Sequence, residues 1–550
     1  MSAQADAGNP SRRGVRIGKT AATIAAVAIA ARFVGVLRVF AQASAIGPTA
    51  LGDAYVTANK IPNIVFDIVA GGALSSVVIP ILARPITALD GVGTRRTASA
   101  LLTWTVLILL PLSLLGMVLS RPLITVLLAG VGDGQLRQEK IDVGARMLLV
   151  FMPQIVLYGV GIVLTGVLQA HRRFLAPALA PLLSSLVVIG AYLAYAAQAH
   201  GNHSITGLSR SEELTLSLGT TLGVAALTLS LVVPVRRLGL GLRPTLRMPA
   251  GAGAQIRRLA GAGAVGLGAQ QLATGVVIVL ANRVVGGPVV YELAWTVFMV
   301  PWGVLAVPIA TSIFPDLTRA AAAGDHEEYA ESLATAARAI VLAMLAAAAL
   351  LVAAARPLSQ LLLALVHAEA GGAGAPDLAR AITAFAPGLV GYGLLALLTR
   401  AAYARHNGRV AAAATVAGFA VAAIVDVALV SLLPRHWLVA ALGAGNTIGM
   451  SVAAALLLLW LRGVARPAAT ARTGRLALFG AVAAIAGGGA GRLAAFVPPR
   501  AGALAAGAAV ALAGAVTVAV FGAVVAVGLP AQTRALVRRI AWPRRAEGDR

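Results

Sequence analysis

Apolar runs of membrane-spanning length, separated by short polar stretches, recur along the whole of this 550-residue chain. A bilayer core takes about 20 predominantly apolar residues per helix. Runs of that kind fall at 20–46, 54–84, 98–120, 145–170, 174–198, 214–234 and 259–282. A second set falls at 289–315, 332–355, 379–404, 408–432, 437–461, 474–495 and 501–529. The pattern predicts an all-α polytopic membrane protein with about 14 transmembrane helices. The third run is one that can extend or break near Arg121–Pro122.

The pattern also repeats. FMPQIVLYGVGIVLTGVLQA at 151–170 aligns without gaps to FAPGLVGYGLLALLTRAAYA at 385–404, an offset of 385 − 151 = 234. Leucine and alanine matches are cheap in such a chain; Phe151, Pro153, Tyr158, Gly159 and Thr165 in register with identical partners are not. Tyr55 and Tyr291 likewise open runs that close at Pro80 and Pro315. The expectation is two six-helix lobes related by a parallel repeat, plus two C-terminal helices. Repeats of this kind place a transported substrate near the midplane at the repeat interface.

Composition sharpens the class. Charged residues make up 12% of the chain, half of the roughly 25% typical of soluble domains. With no cysteine, disulfides and thiolate chemistry are excluded. The histidines are scattered. His171, His200, His203, His406 and His436 fall in loops, no metal spacing such as HExxH occurs, and no cofactor is expected. The net charge of +24 comes mostly from arginine lying between apolar runs, which argues for membrane topology and against a nucleic-acid partner. The first residues, MSAQADAGNPSRRGVRIGKT, lack the cleavage site of a signal peptide and read as a cytoplasmic tail.

The basic residues set an orientation. Arg12, Arg13, Arg16 and Lys19 precede the first run; Arg236, Arg237, Arg243, Arg247, Arg257 and Arg258 follow the sixth. Arg462, Arg466, Arg472 and Arg475 follow the twelfth, and Arg534, Arg538, Arg539, Arg544, Arg545 and Arg550 follow the last. Fourteen spans put all four groups on one side, the cytoplasmic one by the positive-inside rule. Asp325, Glu327, Glu328 and Glu331 fall on the same side, but acids weigh little in that rule; they read as a solvated loop entering a helix, with Asp325 as N-cap. The expected organisation is a cytoplasmic N-terminal tail at 1–19, an N-lobe at 20–235, a basic linker at 236–258, a C-lobe at 259–465, two extra helices within 474–529 and a basic tail at 530–550.

Several charges fall inside the runs. A charged side chain at the bilayer centre costs about 2.5–3.5 kcal/mol on insertion scales, so each needs a partner, a wet cavity or a role. The first run holds Arg32 and Arg38; the second holds Asp53 at its mouth, then Lys60 and Asp67. At ~1.5 Å per residue, Arg32 and Asp67 lie about 20 Å from the outer ends of their helices, and Arg38 and Lys60 about 10 Å. Two tiers of charge are expected. Pro62, Gly71–Gly72 and Pro80 interrupt the second run, and Pro301 and Pro308 interrupt the eighth. Broken helices persist in membranes where they are buried in protein or line a cavity. The later part of the chain offers polar Gln270, Gln271 and Asn282, with Arg283 at the end of the seventh run and Asp426 as an isolated acid in the eleventh. Asp426 reads equally as a proton or sodium site and as a helix–helix hydrogen-bond partner. Arginine binds phosphate through paired donors, so a mostly cationic cavity suits an anionic head group.

These residues carry a resemblance. ARFVGVLRVFAQASAIGPTALGDAYVTANKIPNIVFDIVAGGALSSVVIPIL resembles the MviN/MurJ family of lipid II flippases, as does VPWGVLAVPIATSIFPDLTRAAAAGDHEEY in the eighth run. The resemblance implies the multidrug/oligosaccharidyl-lipid/polysaccharide exporter superfamily, two six-helix lobes and alternating access. It implies a flippase that moves the undecaprenyl-diphosphate-linked sugar–peptide lipid II from the inner to the outer leaflet of the cytoplasmic membrane. By the resemblance Arg32, Arg38, Asp53 and Lys60 fall on positions of the family pattern; with Asp67, read as a charge inside the second run, they form the expected substrate-binding set, Asp426, Gln270 and Gln271 form a possible coupling or polar-cavity set, and cell-wall synthesis proteins are possible neighbours. Phe66 and Asp67 stand where better-known members carry consecutive arginines, and Thr296 where they carry another. That shifts weight onto Arg38 and Lys60. No Walker motif occurs, so membrane potential or an ion gradient is the expected drive. The competing readings are an exporter of another polyprenyl-linked glycan and a non-transporting scaffold of wall synthesis.

Overall fold

The computed structural model describes residues 10–68, 90–201, 204–247, 252–363, 372–462, 467–495 and 502–528, together with Val78, Ile81, Leu82, Ile86 and Ala88. Gly71–Gly72, Pro80, His203, Arg466 and the basic tail after residue 530 lie outside the described residues. Among the described residues the fold is helical throughout. The helices are α1 (Pro10–Ile46), α2 (Ala50–Ile68), α3 (Gly91–Val118), α4 (Ser120–Leu127), α5 (Gly134–Phe151), α6 (Gln154–Ala170), α7 (Leu175–Ala199), α8 (Arg210–Arg236), α9 (Ala252–Ala281) and α10 (Gly287–Pro301). They continue with α11 (Val307–Ser312), α12 (Phe314–Ala323), α13 (His326–Leu363), α14 (Ala375–Phe385), α15 (Gly388–Ala404), α16 (Gly408–Leu432), α17 (Leu438–Arg462), α18 (Pro467–Ala494) and α19 (Ala503–Gly528).

Polar caps start these helices where the sequence turns from loop to apolar run. Asp90 accepts from Gly93 N at 2.8 Å at the head of α3. Ser209 and Glu212 form a reciprocal capping box on α8. Asp325 accepts from Glu327 N and Glu328 N at 3.0 and 2.9 Å ahead of α13. Between α1 and α2 the chain reverses through Gly47 at φ 73°, a backbone region that favours glycine. Thr49 then accepts from Gly52 N to cap α2. The break expected near Arg121–Pro122 falls at Leu119, where α3 gives way to α4.

Eleven helices among the described residues are long and apolar enough to span a membrane. The number is twelve if α14 and α15, bent by 43°, make one span. The remaining two expected spans also hold helix, but α2 carries Lys60 and Asp67, and the apolar part of α9 is only Val265–Ala281. Fourteen full spans are therefore not established. Leucine, valine and isoleucine side chains such as Ile108, Leu114 and Leu115 stand half or more exposed on the helix surfaces, as hydrocarbon-facing positions do.

The chain divides into two compact units, residues 1–128 with 133–267, and residues 129–132 with 268–550. The internal repeat is a repeat of contacts. Helices α6 and α15 have 17 residues each and start 388 − 154 = 234 positions apart. Each follows a proline, Pro153 or Pro387, and each is followed by a left-handed non-glycine residue, Arg172 at φ 57° or His406 at φ 59°. In the first unit the Tyr55 ring meets Phe151 at 5.7 Å; in the second Tyr291 meets Phe385 at 5.6 Å. Phe66 packs on Tyr158 as Trp302 packs on Tyr392. Thr221 Oγ1 donates to Val150 O at 2.9 Å, and Thr447 Oγ1 to Ala384 O at 2.8 Å.

The interruption expected at Pro301 and Pro308 is a π-helical turn over Trp302–Ala306, closed by Val307 N bonding to Trp302 O. Such single turns mark irregular, often functional, positions in otherwise α-helical runs. In the second unit α16 and α17 approach closely through small residues. A Cβ on Gly449 would run into the Gly418 carbonyl, and would lie 2.6 Å from Ala422 Cβ. Gly489 of α18 has open space in the same position. Gly449→Leu should therefore destabilise the protein by about 1–3 kcal/mol through overpacking, with Gly489→Leu near wild type. Thermal unfolding in detergent, followed by size-exclusion, checks the difference.

Candidate functional site

In the first unit the chemistry starts at the head of α2. The Asp53 carboxylate accepts from Lys140 Nζ of α5 at 2.7 Å, and both side chains have 0% exposure. Two isolated ions would not be buried this deeply; the pair is held because each neutralises the other. Two residues on, Tyr55 OH bonds to Tyr192 OH at 2.8 Å and to Thr220 Oγ1 at 2.6 Å. Tyr192 donates on to Gln42 Oε1 of α1 at 3.0 Å. Four helices, α1, α2, α7 and α8, meet in this buried hydroxyl network. A second network ties α5 to α8, with Arg146 and Arg210 both on Glu213 at 2.8 and 2.9 Å.

Past Ala58 the burial of α2 loosens, and Lys60 and Asn63 are half-buried while Asp67 is exposed. Tyr158 of α6 donates to Asn63 Oδ1 at 3.2 Å and lies against Phe66, with ring centroids 4.4 Å apart. Arg38 of α1 and Asp67 both lie within electrostatic reach of the Tyr158 hydroxyl. The first unit thus brings Arg38 and Asp67 together around one tyrosine, with Lys60 one turn before Asn63. Arg32 lies on an exposed face of α1, and Asp53 sits in the buried layer rather than among these groups.

The second unit fills the same frame with other chemistry. Asp426 of α16 is 1% exposed and packs directly on Gly445 of α17, where a Cβ would meet its carboxylate. Neither Asp426 Oδ1 nor the neighbouring buried Asn446 Nδ2 has a protein hydrogen-bond partner. The Tyr291 hydroxyl lies within electrostatic reach of Asp426. Counting by the repeat, Asp426 stands where the first unit has Tyr192 (426 − 192 = 234). By the paired threonine bonds, Asn446 stands where it has Thr220 (447 − 221 = 446 − 220 = 226). A carboxylate and an amide thus replace two hydroxyls. Gln271 is buried and Gln270 half-buried on α9, near the stretch where Ala273 packs on Phe419 and Met450.

Lys140 was not among the expected site residues. It lies in QLRQEKIDVG, a stretch polar enough to read as a loop. The signal was Asp53 itself: an acid that enters an apolar helix requires a cation somewhere in the chain. Asn446 escaped for the opposite reason, as one amide in an apolar run.

The sequence profile of the family described as lipid II flippase MurJ matches residues 42–493. A lipid II flippase MurJ of Burkholderia cenocepacia is 26% identical over 456 residues, 81% of this chain and 84% of that one. A probable lipid II flippase MurJ of Rhizobium meliloti is 28% identical over 317 residues, 57% of each chain. One of Rhizobium tropici is 25% identical over 56% of each. The match thus spans little more than half the length of these two relatives. Among solved structures, a lipid II flippase MurJ in an inward closed conformation superposes with a TM-score of 0.72 at 15% identity, over 94% of this chain and 100% of that one. An inward-facing multidrug resistance MATE family transporter of the MOP superfamily gives 0.63 at 17%, over 81% and 95%. At these identities the likeness is one of fold.

Removing one member of a buried ion pair leaves the other uncompensated, at a cost of about 3–5 kcal/mol. Lys140→Met should therefore lower thermal stability strongly. The double variant Asp53→Asn with Lys140→Met should recover much of the loss. Equal melting temperatures for the single and double variants would contradict a coupled pair.

Proposed function

The chain belongs to the lipid II flippase MurJ family, and from that premise we propose that it moves the undecaprenyl-diphosphate-linked sugar–peptide lipid II across the cytoplasmic membrane by alternating access. It acts as a transporter and not as an enzyme. The observation that supports the reading at residue level is the placement of Arg38 and Asp67 within electrostatic reach of Tyr158 in the first unit, with Lys60 half-buried on the same helix as Asp67, one turn before the Asn63 that Tyr158 bonds. In this reading Arg38 and Lys60, with Arg32, hold the diphosphate, since guanidinium and ammonium groups make charge-assisted bonds to phosphate oxygens. Asp53 contributes by fixing the head of α2 through Lys140, which sets where Lys60 stands. Both termini lie in the cytoplasm, and cell-wall synthesis proteins are the natural neighbours.

The drive is membrane potential or an ion gradient. One charge moved through 100 mV is worth about 2.3 kcal/mol, so an anionic head group is driven outward when the inside is negative. Asp426 is the coupling group in this scheme. A buried carboxylate with an oxygen unused by the protein, beside an unused amide, suits a proton or a small cation. Gln270 and Gln271 supply the polar surroundings of α9.

A second reading, export of another polyprenyl-linked glycan, draws on Phe66, Asp67 and Thr296. Phe66 is stacked on Tyr158 and Asp67 adds an acid, which suits a head group with fewer negative charges or a bulkier sugar.

Depletion of the resident flippase in a suitable bacterium, with this chain expressed in its place, tests both. Lipid-linked precursor should become accessible to a hydrolase added outside. A hydrogen bond to a charged group contributes about 1.5–3 kcal/mol, so Arg38→Ala and Lys60→Ala should each cut transport by about ten- to a hundredfold. Arg32→Ala should weaken it as well. Asp426→Asn should leave the protein folded and remove the response of transport to the ion gradient. Absence of rescue by a membrane-inserted chain would move the assignment to the other glycan, or to a scaffold that does not transport.

A further inference from the structure

A pocket in the second unit, away from the groups used above, is formed by the end of α12, the start of α13 and the turn after α15. It encloses about 240 Å³ and is lined by Thr318, Ala322, His326, Tyr329, Arg405 and His406, among others. Its floor is fixed. The buried Tyr329 donates its hydroxyl to Ala401 O at 2.9 Å, and the Arg405 guanidinium lies over the Tyr329 ring, 5.3 Å from its centroid. The left-handed His406, at φ 59°, turns the chain so that Asn407 N returns to Ala402 O at 2.9 Å.

One terminal nitrogen of Arg405, Nη1, is buried and has no protein acceptor. A buried donor left open in this way calls for an explanation. Three of the carboxylates nearby in sequence are engaged elsewhere. Arg319 takes Asp316 and Glu328 at 3.2 and 2.9 Å, and Asp325 caps α13. No acid lines the pocket, while two imidazoles, His326 and His406, stand on its exposed rim. The first unit has the same left-handed turn 234 residues earlier, yet there the residue matching Arg405 is His171, whose ring nitrogen lies 2.8 Å from its own helix at Val167 O. The turn belongs to the repeat; among the described residues, a guanidinium over an aromatic ring accompanies it in the second unit and not in the first.

We propose that this pocket binds a phosphate-type oxyanion, taken from a phospholipid head group or from free phosphate. Arg405 supplies the charged donor, held in place by its contact with Tyr329, and the two histidines supply rim donors. A water takes about 30 Å³ of liquid, so the volume admits one tetrahedral oxyanion with several waters.

The test uses the full chain in nanodiscs, with thermal unfolding as the readout. One set, of phosphatidylcholine alone, receives inorganic phosphate or chloride at equal ionic strength; the other contains phosphatidylglycerol. Stabilisation by phosphate over chloride assigns free phosphate; stabilisation by phosphatidylglycerol alone assigns the lipid head group. In either case Arg405→Gln should weaken the response about tenfold in apparent affinity. Arg409→Gln, which removes an exposed cation outside the pocket lining, should keep it. Ala322→Trp, which fills the pocket and leaves Arg405 in place, should also abolish it, and decides the matter if Arg405→Gln does not fold. No response in the wild type, an equal response to chloride, or an unchanged response in Ala322→Trp overturns the proposal.

Discussion

A protein surrounded by hydrocarbon has to satisfy its polar groups from within, because no water is present to do so. Each unit of this chain meets that demand with one frame of helices and a small set of buried polar contacts at corresponding places. The frame is the repeated part: tyrosine on phenylalanine, threonine on a helix carbonyl, proline ahead of a 17-residue helix, and a left-handed turn behind it. The filling is the part that differs. In the first unit hydroxyls satisfy one another and one ion pair neutralises itself. In the second a carboxylate and an amide occupy the matching positions with an oxygen and a nitrogen to spare. Duplication has kept the geometry and released the chemistry.

That separation explains which features were legible in the sequence. The helical frame was readable because it is written in apolar length and in rare residues at a constant offset, Phe151, Pro153 and Tyr158 with their partners at 385, 387 and 392. The interruption at Pro301 and Pro308 was readable because proline cannot donate its backbone nitrogen, and the chain answers with a π turn. The candidate site was readable only in part. Arg38, Lys60 and Asp67 announce themselves as charges in apolar runs, but a sequence does not say which carboxylate faces which cation. Asp53 was expected among the substrate-binding residues and is fully buried against Lys140, a residue hidden in a stretch that reads as a loop. Of the fourteen expected spans, α2 and α9 fall short of full ones among the described residues, since they carry the polar residues that dilute their hydropathy. The residues that make such helices useful are those that make them hard to recognise as spans.

The Asp53–Lys140 pair has a consequence for the rest of α2. A buried pair replaced by well-packed apolar residues is often neutral or more stable, so its retention is poorly explained by stability. What the pair does specify is register. Lys140, in the second turn of α5, and Asp53, in the first turn of α2, meet at 2.7 Å, and a sliding of one helix along the other would separate them. Lys60, two turns along α2, inherits that placement, and so do Asn63, Phe66 and their contacts with Tyr158. A proline at 62 would loosen a free helix; with the head pinned and Pro62 itself buried, the half carrying Lys60 and Asp67 keeps a defined direction while remaining partly open. The charged groups that meet a ligand in the proposed function thus owe their position to a charged pair that does not. The second unit has valine at the place of Asp53 (289 − 53 = 236) and glycine at that of Lys140 (374 − 140 = 234). Its corresponding helix, with aromatic Trp295, Phe298 and Trp302 packed on Phe385 and Tyr392, is held by ring contacts. Electrostatic pinning in one unit and aromatic packing in the other are two solutions to one positional problem, and only the first leaves cations on the helix it positions.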